Sequence, residues 1–140
     1  QAAVPAGLQK WKIHFDGYGG TPGDRSWIRV SLAYDGMMKV EKRRVRKGDY
    51  RTVFDGKLDD EETSQFFRTT EKIIKEYRHD KSEGKMQDGW RLTLGISSKS
   101  SKKSVSFRDQ PGFTDKDAPP GFDKLAEIIN RHLKGETFPE

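Results

Sequence analysis

No cysteine occurs among the 140 residues, which excludes disulfides, thiolate nucleophiles, iron–sulfur clusters and cysteine-ligated zinc. No apolar run approaches the ~18 residues of a membrane helix, so a membrane partner is not expected. Core-forming residues are scarce as well. Ile, Leu, Val and Phe together number 28 of 140, close to the level at which a strongly charged chain stays disordered. The net charge is only +5, however, and three Trp and four Tyr supply anchors, so the chain reads as one folded domain with a thin core.

Catalytic signatures are also missing. The three histidines, His14, His79 and His132, stand alone, with no H-E-x-x-H pair at helical ligand spacing. No serine sits in G-x-S-x-G. The glycines of residues 17–23 lack the Lys-Ser/Thr of a phosphate-binding loop and precede a strand instead of a helix. Asp109, Asp115 and Asp117 share one segment without the spacing of a calcium loop. The acids of residues 59–62 suit a helix N-terminus. No metal, no cofactor and no catalytic residue is therefore expected. His14 and Asp16, two apart on one strand face, are the single pair that an unrecognised enzyme site would use.

What is present is patterning. Trp11, Ile13 and Phe15 alternate with Lys12 and His14, the period of a half-buried strand. Residues 16–24, with four Gly and one Pro, predict a loop, because glycine costs backbone entropy inside a regular element. Residues 26–34 form a second strand, with Ile28, Val30, Leu32 and Tyr34 opposite Trp27, Arg29, Ser31 and Ala33. Asp35-Gly36 predicts a two-residue type I′ hairpin turn. A third strand runs from Met37 to about Val45 with Met38 and Val40 inward. Lys47-Gly48-Asp49 turns the chain into a short fourth strand, residues 50–54, with Val53 inward and Asp55-Gly56 closing it.

The period then changes. Phe66, Phe67, Thr70, Ile73, Ile74 and Tyr77 lie on one helical face. Asp59 and Glu62 are spaced as a capping box, and basic residues crowd the far end, predicting a helix over 60–78. Residues 80–87 are a charged connection. Trp90, Leu92, Leu94 and Ile96 alternate as a fifth strand, residues 97–104 read as a hairpin tip, and Val105 and Phe107 form the return. Residues 110–121, with three Pro and two Gly, are irregular. Phe122, Leu125, Ile128, Ile129 and Leu133 stripe a last helix over 121–133, with Gly135 as a left-handed terminator.

The fold expected is α+β: an antiparallel sheet, in sequence order β-β-β-β-α-β-β-α, with both helices packed on one face. The domain spans 10–135, between a stub at 1–9 and a tail at 136–140. The other sheet face would carry Trp27, Arg29, Ser31, Lys39, Arg43, Arg91 and Thr93, although periodicity leaves the faces of Trp27 and Trp90 open. The small, uncharged opening residues resemble what signal cleavage leaves, which predicts a periplasmic or secreted protein.

Two segments are candidates for partner binding. The first is the glycine loop, with Tyr18, Gly19, Gly20 and Thr21 as an exposed insertion anchored by an aromatic ring. The second is a basic hairpin over residues 39–51, where seven basic residues face two acids, a local excess equal to the whole net charge. Its patch is Lys42, Arg43, Arg44, Arg46 and Lys47. A basic strand pair suits an acidic protein or another polyanion, or simply guards an edge against aggregation. Nucleic acid is disfavoured, since the nearby aromatics do not form a stacking platform.

Trp11-Lys-Ile-His-Phe15 leading to Gly19-Gly20, an acid-capped helix opening Leu58-Asp-Asp-Glu-Glu62, and Asp88-Gly-Trp-Arg-Leu-Thr-Leu94 before a final Leu/Ile helix make up an order of elements. That order resembles the emfourin-type small protein inhibitors of thermolysin-like metalloproteases and related bacterial domains. The resemblance covers most of the chain in element order and implies this fold and a protease as partner. It assigns no individual site residue. The sequence thus points to a non-catalytic protein-binding domain, with a protease inhibitor as its specific form. The alternative is a polyanion- or nucleic-acid-binding domain that uses the 39–51 hairpin.

Overall fold

A computed structural model describes residues 11–21, 24–44, 48–77, 90–109, 119–135 and 138. Six strands, β1 (Lys12–Thr21), β2 (Asp24–Ala33), β3 (Met37–Arg43), β4 (Arg51–Lys57), β5 (Trp90–Ser97) and β6 (Lys102–Asp109), form one sheet. Its order is β4-β3-β2-β1-β5-β6 and its neighbours pair antiparallel. The helices are α1 (Asp60–Glu76) and α2 (Phe122–His132). No helix among the described residues is long and apolar enough to cross a membrane.

Alternation sends Ile13 and Phe15 of β1, Ile28, Val30 and Leu32 of β2, Met38 and Val40 of β3, and Leu92, Leu94 and Ile96 of β5 to one side, all buried. Phe66, Phe67 and Ile73 of α1 and Leu125, Ile128 and Ile129 of α2 close over that same side. Both helices thus cover one face, as the periodicity predicted. The two stripes are unequal to the expectation in detail: Ile73 is 2% exposed, whereas Ile74 is only partly buried.

The helices run antiparallel. Glu62 in the first turn of α1 pairs with Arg131 and His132 at the end of α2. At the opposite end, Gly121 sits against Thr69 and Ile73. Asp59 caps α1 by accepting a 2.7 Å hydrogen bond from the Glu62 amide. The expected capping box is therefore only half used, because the Glu62 carboxylate turns to α2 and not back to the cap.

Several local expectations are corrected. The glycine-rich segment is not a loop up to Asp24: β1 continues to Thr21, paired on both sides through Gly19. Gly17 explains why glycine is used there. A Cβ on it would collide with a Leu92 methyl and come within 3.1 Å of the Arg91 carbonyl oxygen, so the residue is a close-approach position and not a hinge. The turn after β2 is not type I′. The Gly36 amide donates to the Ala33 carbonyl at 3.0 Å, and Gly36, not Asp35, takes a positive φ of 97°. That is a three-residue connection with glycine at its left-handed position.

β4 starts and ends later than the sequence indicated, so Asp55 and Gly56 lie inside it. The register slips at Val40/Glu41, with Val40 opposite Phe54 and Glu41 opposite Thr52. Val53 is thus the extra residue of a bulge; it packs against the core as expected, and so does Phe54, opposite Val40. The domain also reaches past residue 135. Phe138 is 2% exposed, packs on Phe15 and Phe122, and is gripped by Asn130, which accepts from its amide (2.7 Å) and donates to its carbonyl (3.0 Å). Gly135, at φ 75°, allows the chain to turn back for that contact. The expectations for residues 1–9, 80–87 and 110–118 lie outside the described residues.

Candidate binding face

The sheet has a second face, turned away from both helices. The ladder registers place Arg43, Trp27, Tyr18 and Arg91 in one rung across β3, β2, β1 and β5. The neighbouring rung holds Glu41, Arg29, Asp16 and Thr93, and the next Lys39, Ser31, His14 and Gly95. All seven residues expected on this face are there, Trp27 among them.

The first two rungs are bound together by stacked side chains. The Arg43 guanidinium carbon lies 5.2 Å from the Trp27 ring centroid and 4.7 Å from that of Tyr50. The Arg29 guanidinium carbon lies 3.9 Å from the same Tyr50 ring centroid, and Arg29 donates from Nε to Glu41 at 2.7 Å. Arg25 stands 6.0 Å from the ring of Tyr18. Each ring attracts a cation electrostatically through its π face, so Trp27, Arg43, Tyr50 and Arg29 form one continuous stack, tied to Glu41 by the Arg29 hydrogen bond. Tyr50 comes from the segment preceding β4, which no local sequence pattern assigns to this face. The paired aromatic and arginine residue types were the available signal.

Electrostatics follow from the same alternation. Among the described residues the outer face carries Lys12, Arg25, Arg29, Lys39, Arg43, Lys57, Arg91 and Lys102 against Asp16, Glu41 and Asp55. The Glu41 carboxyl is held below the usual carboxylate range, chiefly by the hydrogen bond from Arg29. His14, half-buried, is pushed below its ordinary value of 6.5 first by burial; Asp16 opposes this, while Lys12 and Lys102 add to it. Tyr18 is 38% exposed and the Arg29 side chain 48%.

The two candidate segments therefore fare differently from expectation. Tyr18, Gly19, Gly20 and Thr21 lie in β1, so Tyr18 contributes to a surface and not to a protruding loop. Of the basic patch, Arg43 is in the stack and Arg44 is exposed, but Lys42 is 7% exposed, on the core side opposite Ile28. Strand alternation splits those neighbours between two faces. Arg46 and Lys47 lie outside the described residues.

On the helical side, a groove of about 520 Å³ runs between α1 and the start of α2, lined by Arg68, Thr69, Tyr77, Pro120 and Lys124 among others. Trp11, Glu71, Ile74, Lys75, Ile96 and Lys103 line a second, of about 460 Å³. Neither lining includes a histidine or a serine. No group of three His, Asp or Glu residues is placed to hold a metal among the described residues. The chain matches no protein-family model and none of the curated proteins compared with it.

Proposed function

We propose that the protein is a non-catalytic binding domain that receives another protein on the outer sheet face around Trp27. The observation that carries this reading is the Trp27–Arg43–Tyr50–Arg29 stack. Trp, Tyr and Arg dominate the energetics of protein interfaces. Side chains already ordered on a paired sheet also lose little entropy when a partner docks. The resemblance to emfourin-type inhibitors makes thermolysin-like metalloproteases the first partners to try, with Tyr18 acting from the strand surface. Purified protein titrated against a panel of such proteases is expected to inhibit at micromolar concentration or better, with Trp27→Ala and Tyr18→Ala weakened. No inhibition across the panel removes the protease from the reading.

The second reading, a general polyanion binder, is favoured by the basic excess on the same face. It requires steep salt dependence, because each phosphate or sulfate contact releases counterions. Elution from heparin below ~150 mM salt excludes it at physiological ionic strength.

A further inference from the structure

The chemistry of the partner can be narrowed, on the premise that a protein docks on this face. The Arg43–Trp27–Tyr18–Arg91 rung sets two arginines at the ends of a line across four adjacent strands, about 14 Å long from the usual interstrand spacing. Two rings lie between them. We propose that this rung receives an acidic polypeptide segment that crosses the strands, with carboxylates at Arg43 and Arg91 and an apolar side chain over Trp27 and Tyr18. In extended chain about 14 Å separates residues i and i+4, and i+2 falls on the same side. The pattern recognised is therefore acid–x–apolar–x–acid.

Charge complementarity supports this occupant. Arginine forms bidentate pairs with carboxylates, and stacking of Arg43 on Trp27 and Tyr50 holds its guanidinium in place before the partner arrives. Asp16 and Glu41 in the neighbouring rung repel a second row of carboxylates, which selects the Arg43–Arg91 rung over that one.

The test uses a fluorescently labelled random copolymer of glutamate and tyrosine, with polyglutamate and a thymidine oligonucleotide as competitors, at ~50 mM salt where ionic contacts are least screened. The copolymer is expected to bind and to be displaced better by itself than by either competitor. Arg43→Gln/Arg91→Gln is expected to weaken binding about tenfold, and Lys72→Gln/Lys124→Gln, on the helical side, to leave it unchanged. Amide chemical-shift changes in the unmodified protein, which need no variant to fold, are expected at the rung and its neighbours. Absence of binding, equal loss in the two double variants, shifts confined to the helices, or preference for the oligonucleotide would overturn the proposal. Copolymer binding without protease inhibition removes only the protease. Protease inhibition without copolymer binding removes only the acidic segment.

Discussion

The carboxylate of Glu62, in the first turn of α1, stands 3.0 Å from Nε2 of His132 in the last turn of α2 and 3.2 Å from Arg131. One side chain thus ties together the two helix ends where a negative group and cations are each favoured by the peptide dipoles. Arg131 is half exposed, so its share is small. Glu62→Ala is expected to cost about 1 kcal/mol. Glu62→Gln, which can still bond His132, should cost less. Both would be read as lower urea midpoints at unchanged slope. Equal stability of Glu62→Ala and the parent would show that the tie contributes nothing.

Gly17→Ala tests the close approach of β1 and β5. The new methyl meets a fully buried Leu92 and the Arg91 backbone. Overpacking typically costs about 1–3 kcal/mol, more than the few tenths to ~1 kcal/mol that restricting the unfolded chain returns. Net destabilisation is expected by chemical denaturation; a gain in stability would mean that the sheet opens easily at this point.

Adjacent residues on α1 should behave unequally. Ile73→Ala, at a 2% exposed position, is expected to cost ~2–5 kcal/mol. Ile74→Ala, at the margin of the core, should cost less than half of that. Similar losses at both would contradict a helix rotation that buries Ile73 more deeply than Ile74.

Phe138→Ala removes a ring packed on Phe15 and Phe122 and should cost ~3–5 kcal/mol. Asn130→Ala leaves the ring but removes both backbone hydrogen bonds that hold it. Comparable losses from the two would indicate that the segment detaches as a unit; negligible loss from Phe138→Ala would rule out its place in the core.

Acid sensitivity has a defined origin on the outer face. Burial depresses His14 below 6.5, so the unfolded chain takes up a proton on this ring before the folded protein does. Stability from this group is present above 6.5 and is lost as pH falls below that value. The depressed Glu41 acts separately, its contribution lost only below its ordinary 4.5. Thermal melts of His14→Gln should therefore fall less steeply than the parent between about pH 7 and pH 5. Parallel profiles would remove His14 from the acid response.

Period-two and period-3.6 patterns carried much of this architecture. Ile28, Val30 and Leu32 against Trp27, Arg29 and Ser31 defined a strand and both its faces, and Phe66, Phe67, Thr70 and Ile73 defined the buried stripe of α1. Such patterns are legible because a single core-facing surface sorts residues by polarity along each element. The candidate face was legible as a list of seven residues, but its organisation was not. Tyr50 reaches Arg29 and Arg43 from a neighbouring segment, and Lys42 is separated from Arg43 by the pleat.

From the residues alone came the order of elements, the one-sided core and the two helices above it, since each of these depends on local spacing of apolar side chains. Tertiary structure decided which glycines belong to a strand, where β4 bulges, that Phe138 completes the core, and that arginines and rings assemble into one stack. Those outcomes depend on contacts between segments far apart in the chain, as between Gly17 and Leu92, and local periodicity records no such pairing.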